Sequence, residues 1–346
     1  MVQAGPGPFP LLHIGHFMAI PASLANQLVL PVIGSPLFII SNADLVLAQC
    51  KAGIIGSFPS LNARPIEQLD DWLSRINEEL AAARSATPTA KIAPFAVNMI
   101  VHKSNARIEQ DLALVVKHKA PIVITSLGAR PEVNDAVHSY GGIVLHDITT
   151  IVYAHKALEK GADGLIAVCA GAGGHAGTLS PFALISEIRE FFDGPLVLSG
   201  AIATGAQVLA AQAMGADLAY IGSAFIATDE ARASDAYKDM IVASAAKDII
   251  YSNLFTGIHG NYLSPSVVAA GMDPNNLPEG DKATMSFQSG GSSKAKAWKD
   301  VWGAGQGVGA VKTRMSTADY VAQLRREYEE ARVKLAATAS KFSAVG

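Results

Sequence analysis

The stretch "GADGLIAVCAGAGGHAGTLSPFALISEIREFF" (residues 161–192) holds the fold in miniature. Gly164–Val168 is a short apolar run of strand character. Residues 170–180, "AGAGGHAGTLS", follow with four glycines, one histidine and no ionised side chain. Ser180 then Pro181 open the helical segment "SPFALISEIREFF" (180–192), a serine–proline helix start. The unit is therefore strand, glycine loop, helix. Glycines permit backbone angles and close approaches that other residues resist. A single imidazole among them can serve as base, hydrogen-bond donor or metal ligand.

The same unit recurs along the chain. Strand-like runs are Leu28–Ile33, Gly53–Ser57, Ala93–Asn98, Ile122–Thr125, Gly142–His146, Gly164–Val168, Leu196–Ser199 and Leu218–Ile221. Helical segments separate them, among them residues 65–85, 105–119 and 149–161, the last ending on a C-cap glycine. Strands alternating with helices predict a parallel sheet. Eight units in about 200 residues predict an α/β fold of the (β/α)₈ TIM-barrel type, with a doubly wound open sheet as the competing architecture. "GAGGHA" (171–176) also fits a loose dinucleotide fingerprint, with Asp193 further on. That reading fails because the motif follows the sixth strand and the next helix starts only at Ser180.

After Ile221 the rhythm stops. The expected organisation is an N-terminal extension (1–24), a barrel (25–229), a mainly helical lid and substrate domain (230–315) and a C-terminal helix (316–346) returning to the barrel. Within the lid, "SFQSGGSSKAKAWKD" (286–300) reads as a polar surface loop.

Composition narrows the function. Of 346 residues, 50% are hydrophobic and 16% charged, and the net charge is −3, so a large core is expected and no basic surface for nucleic acid. Cys50 and Cys169 are the only cysteines, which argues against a disulfide scaffold, fits a reducing cytoplasm and offers no zinc spacing. The start "MVQAGPGPFPLLHIGHF" lacks Lys and Arg, unlike a secretory signal. Leu28–Ile40 is apolar but short of the ~20 residues a bilayer helix needs, and Pro31, Gly34 and Pro36 interrupt it. A soluble, cytoplasmic protein with no membrane partner and no bound metal is expected. Met18 is a second reading of the natural start, with residues 1–17 loosely ordered.

Ligands of a parallel barrel bind at the C-terminal ends of its strands. Those ends here are Ser35-Pro36-Leu37, Asn98, Thr125-Ser126, His146-Asp147, the loop 170–180, "SGAIATG" (199–205) and "IGSAF" (221–225). The last two follow the seventh and eighth runs, where barrels often bind phosphate on backbone amides at helix starts. Their glycines could equally serve tight turns alone. His146 reads as a substrate residue or a strand-end hydrogen-bond partner. His259 and Tyr262, in "TGIHGNYL", could reach the mouth from the lid. Cys169 reads as a packed thiol, and Trp302 as a site or core residue.

These motifs carry a resemblance. "PVIGSPLF", "FAVNMIV", "ITSLG", "GADGLIAVCAGAGGHAG", "LVLSGAIATG", "MGADLAYIGSAF" and "WGAGQGVG" (302–309) resemble, in order and spacing, those of the nitronate monooxygenase family, formerly 2-nitropropane dioxygenases. The similarity covers about residues 25–335. The resemblance implies a flavin-dependent (β/α)₈ enzyme binding FMN and using O₂ on an alkyl nitronate or nitroalkane, as a monomer or homo-oligomer. Carried over, the phosphate falls to Ser199, Gly200, Ala201, Gly222 and Ser223. Asn98, Ser126 and the turn Ser35, Pro36 and Leu37 fall beside the isoalloxazine. Ala172, Gly173 and Gly174 fall at its edge, Gly305 and Gln306 in a late cofactor motif, and His175 at the catalytic histidine. On this expectation the glycines of 171–174 clear room for a flat ring. Two departures stand out. Asp147 lies where some relatives carry Lys, and Leu37 where they often have Met. Relatives also include NAD(P)H-dependent quinone reductases and enoyl-acyl-carrier-protein reductases, the alternative activity. A non-catalytic phosphate-binding barrel is a third class.

Overall fold

A computed structural model describes residues 19–280 and 301–342. The expected surface loop (286–300) and the extension 1–17 lie outside the described residues. Eight parallel strands form one sheet: β1 (Val32–Gly34), β2 (Gly56–Pro59), β3 (Phe95–Ile100), β4 (Ile122–Ser126), β5 (Ile143–Ile148), β6 (Gly164–Val168), β8 (Leu196–Ser199) and β9 (Leu218–Ile221). The sheet runs β1-β9-β8-β6-β5-β4-β3-β2, and a parallel bridge from Ile33 to Ile55 joins its two edges into a ring. This is the (β/α)₈ barrel that the spacing predicts. The helices between strands are α2 (Ala43–Lys51), α3 (Glu67–Ala86), α4 (Ile108–Lys117), α5 (Pro131–His138), α6 (Ile151–Glu159), α7 (Pro181–Arg189) and α8 (Gly205–Ala213).

Strand side chains alternate between two environments, as period-two geometry demands. Ile33, Ile55, Ala96, Ile122, Ile124, Leu145, Ile166, Val197 and Leu218 fill the ring. Ile20 and Leu24, the latter in the short α1 (Ala22–Ala25), join this interior cluster, so ordered packing begins before residue 25. Alternate strand residues, such as Val97, Val123 and Val144, pack outward with the helices.

Beyond β9 the chain makes a short α9 (Ser223–Ile226), then the segment expected to form the lid: α10 (Asp235–Ala243), β10 (Ile249–Ser252), β11 (Gly260–Leu263) and α11 (Ser264–Ala269). The region is less purely helical than its sequence suggests. β10 and β11 form an antiparallel sheet with β7 (Gly174–His175), a two-residue strand inside the glycine loop. The last helix, Thr317–Ala339, packs against α8 and α2. It thereby takes the place of the barrel's eighth helix. The contact is close at Gly205, where a Cβ would sit 2.0 Å from the Leu324 carbonyl oxygen. The Gly205 amide donates to Glu327 (2.8 Å), and the Tyr320 hydroxyl to the Ala203 carbonyl (2.9 Å). No helix among the described residues is long and apolar enough to cross a membrane.

Candidate functional site

The strand ends bring a hydrogen-bonded chain to the mouth of the barrel. Asn98 on β3 donates from Nδ2 to the Ile124 carbonyl (3.1 Å) and to Ser126 Oγ (2.7 Å). Ser126 on β4 in turn donates to Asp147 Oδ2 on β5 (2.5 Å). The Ile124 carbonyl can only accept, so the atom facing it must be the amide nitrogen. That leaves Asn98 Oδ1 as an acceptor. Asp147 Oδ1 and the Tyr220 hydroxyl are both buried and have no hydrogen-bond partner among the described residues. Burial pushes the Asp147 carboxyl up to about 6, against the Ser126 hydrogen bond. Burial and the Asp147 charge hold the Tyr220 phenol well above its usual range.

The two phosphate-type loops lie side by side. Gly200 and Ala201 both have positive φ (145° and 55°). Gly222 precedes α9, and a Cβ built on it would lie 3.4 Å from Ser35 and from Leu37. The Ser35 amide donates to the Ile221 carbonyl (2.8 Å), so the β1 turn and the β9 loop form one wall. Asn62 clamps that turn, donating to the Leu37 and Ser41 carbonyls at 2.9 and 2.8 Å. Ile39 within it has φ 59°, a left-handed angle that a β-branched residue rarely adopts.

The late motif packs directly on the glycine loop. The Gly305 amide donates to Ser223 Oγ (2.8 Å), and the Gln306 amide to the Gly171 carbonyl (2.9 Å). Asn261 on β11 donates to the Ala172 carbonyl (2.6 Å). A Cβ on Gly171 would meet Gln306 Oε1 at 2.9 Å, and one on Gly173 would meet the Gly305 nitrogen at 2.8 Å. Only Gly174 among these has open space beside it. Gly173 thus lets the two loops press backbone to backbone, Gly171 makes room for the Gln306 side chain, and Gly174 opens on free space.

His175 sits on β7, half-buried. Its Nε2 lies 3.1 Å from Thr256 Oγ1. Burial lowers the imidazole to about 4, so it is neutral at physiological pH. Directly opposed residues of antiparallel strands share a face. His175 opposes Gly260, and strand alternation puts Tyr262 on that same face. Burial raises the Tyr262 phenol, and the Thr256 hydroxyl beside it offsets part of the rise. His259 lies on the other face, its ring stacked on Tyr251 at 5.0 Å.

The sequence-predicted residues thus separate into groups. Ser35, Leu37, Gly222, Ser223, Gly305, Gln306 and Ala172 converge through the contacts above. Tyr262 joins His175, whereas His259 does not. His146 alternates out of the ring, 6% exposed, with Nδ1 2.6 Å from Thr125 Oγ1. Burial lowers it to about 4. Trp302 stacks on Tyr237 at 4.7 Å. Cys169 is fully buried, its thiol pushed up by burial to about 12. Thr256 is the residue that sequence reading missed, since a lone loop threonine carries no pattern. No group of His, Cys, Asp and Glu among the described residues could hold a metal ion.

Comparison with known proteins identifies the family. A family model described as nitronate monooxygenase matches residues 104–327, almost two thirds of the chain. The chain is 26% identical to a nitronate monooxygenase of Paraburkholderia phytofirmans, over 87% of this chain and 92% of that protein. It is 24% identical to one of Neurospora crassa, over 89% and 92%. Among solved structures, nitroalkane oxidase from Streptomyces ansochromogenes superposes with TM-score 0.72 at 23% identity, covering 91% of this chain and all of that one. FabK from Thermotoga maritima superposes with TM-score 0.71 at 19% identity, covering 90% and 97%, a likeness of fold. Because that family model spans well over half of the chain, the chain belongs to the nitronate monooxygenase family and is a flavin-dependent oxidoreductase.

Proposed function

We propose that the chain is an FMN-dependent nitronate monooxygenase, oxidising alkyl nitronates, and neutral nitroalkanes where it accepts them, with O₂ to carbonyl compounds and nitrite. The observation that carries this reading is His175: a half-buried imidazole, held neutral, on the one segment of the glycine loop that opens on free space. The donor set fits a flavin mononucleotide. Amides of the Gly200–Ala201 and Gly222–Ser223 turns and the Ser223 hydroxyl suit one phosphate, as helix starts after the last two barrel strands do elsewhere. Asn98 Oδ1 offers an acceptor for a ring N–H. The unpartnered Asp147 Oδ1 and Tyr220 hydroxyl give the mouth further polar contacts.

FMN, when bound, would supply the redox chemistry of substrate oxidation with O₂ as the terminal oxidant. The chain's residues bind and orient. Neutral His175 removes the α-proton of a nitroalkane, a step a preformed nitronate does not need. With the anion, His175 and Tyr262 orient the nitro group. Oxygen uptake with propionate 3-nitronate, set beside anaerobic bleaching by NADH, tests the reading. Rapid uptake with the nitronate and slow bleaching by NADH support it. The reverse result assigns the chain to the flavin reductases.

A further inference from the structure

We propose that Thr256 is a positioning residue that fixes His175 as its Nε2–H tautomer and so leaves Nδ1 as the one ring nitrogen able to accept a proton. The consequence for turnover rests on the catalytic reading of His175; the tautomer itself does not.

A threonine hydroxyl has one hydrogen and two lone pairs. Thr256 Oγ1 lies 2.8 Å from the Ile258 carbonyl oxygen, which can only accept. The single hydroxyl hydrogen is therefore spent on that carbonyl. The lone pairs then face two nitrogens, the Ile258 amide at 3.1 Å and His175 Nε2 at 3.1 Å. A backbone amide always donates. For the second contact to be a hydrogen bond rather than a clash of lone pairs, Nε2 must carry the proton. Tyr262 lies beside the same hydroxyl, but its buried phenol has no hydrogen-bond partner among the described residues, so it takes neither the Thr256 hydrogen nor one of its lone pairs. Among the described residues, no hydrogen bond inside the chain reaches His175 Nδ1.

The local fold makes the contact durable. Residues 253–259 connect β10 to β11, and β11 pairs with β7 through Gly260 opposite His175 and Asn261 opposite Gly174. The strand that carries the histidine is thus tied to the one that follows the threonine. Gly260 lets β11 lie close on β7, since a Cβ there would crowd the Gly174 carbonyl oxygen at 2.7 Å. A lid segment 81 residues away in sequence thereby sets the protonation pattern of a residue in the barrel loop.

The test uses the holoenzyme with ¹⁵N-labelled histidine and long-range ¹H–¹⁵N correlation, the His175 signals being assigned by their loss in His175→Asn. Wild type and Thr256→Ser are expected to show a protonated Nε2 and an unprotonated Nδ1 at pH 7. Thr256→Val, which keeps shape but cannot accept, is expected to lose that pattern. A protonated Nδ1 in the wild type overturns the proposal, and does so even if the valine variant fails to fold. An unchanged pattern in a folded Thr256→Val overturns it too. In parallel, kcat/KM on a neutral nitroalkane is expected to fall at least about tenfold in Thr256→Val and to recover in Thr256→Ser. The tautomer shifting as expected with no change in that rate would uphold the positioning role and refute the catalytic reading of His175.

Discussion

Acid should leave proton abstraction untouched well below the usual histidine range. Burial holds His175 at about 4. An imidazole with an ordinary pKa near 6.5 is roughly 24% neutral at pH 6 and about 91% neutral at pH 7.5, so a base of that kind would lose about fourfold in rate across the interval. With the pKa at about 4, His175 is some 99% neutral at pH 6, and the same interval should change the rate by only a few per cent. The assay is initial oxygen uptake on freshly diluted neutral nitroalkane, read as kcat/KM from pH 6 to 7.5. Asp147, pushed up to about 6, titrates at the edge of this window, so Asp147→Asn is measured beside the wild type. A fourfold rise with pH in both proteins would refute the claim that the histidine is held neutral by burial. The companion perturbation is His175→Asn. Loss of a general base typically costs 10²–10⁴-fold, and that loss should appear on the nitroalkane and shrink on the preformed nitronate. Equal losses on both would leave the histidine as a binding group. Unchanged rates would remove it from the mechanism.

Stability should also fall on acidification. His146 and His175 both have lowered folded pKa values of about 4, so between pH 6.5 and 4 the unfolded chain binds more protons and stability drops as pH falls. Asp147, raised to about 6, acts with the opposite sign between its ordinary value and 6, which offsets one imidazole but not two. Thermal melts at pH 7 and 5 check this; a drop that neither His146→Asn nor His175→Asn shrinks would refute it. Gly222→Val should fold yet purify colourless, because its Cβ meets only ordinary contacts at 3.4 Å while its branches enter the phosphate cradle. Full FMN occupancy in that variant would refute the assignment. Gly200 is a poorer test, since φ 145° and the Ala170 carbonyl oxygen at 2.9 Å strain any side chain there. Ile39→Gly should raise stability by about 1 kcal/mol by relieving a left-handed angle at a residue 52% exposed. Urea unfolding that shows a loss instead would mean the side chain packs more than its exposure implies.

The barrel was legible because each strand is a short apolar run between turn residues, and eight of them fit one architecture. The run Gly142–His146 shows both the reach and the limit of that signal. It locates β5, yet the end of a strand does not say which face a residue takes. Leu145 and Asp147 belong to the ring interior by alternation, and that parity turns His146 outward to Thr125. Strand parity thus sets His146 aside and brings Asp147 to the mouth. Other features had no local signal. β7 is two residues long and exists only because β11 pairs with it. Gly173 reads as a ligand glycine in isolation, and its packing against Gly305, more than 130 residues away, leaves no trace in the local sequence. Thr256 matters through one hydroxyl hydrogen, which no composition or period reveals.

The placement of the last helix has a consequence for how the molecule is made. Thr317–Ala339 covers the gap between α8 and α2, so the helix after the first strand and the last helix are neighbours in space. A nascent chain emerging at roughly 5–20 residues per second exposes β1 and α2 long before their cover exists. Everything between α9 and Thr317 must be synthesised before the ring acquires its eighth outer wall. The lid is in this sense threaded through the barrel's own assembly, and cannot be trimmed like a terminal appendage. Loop closure over such a separation is slow, and the unfinished ring leaves the Gly205 face of α8 bare meanwhile. Changes that delay the lid would therefore be felt first as aggregation of new protein, with the finished enzyme left normal.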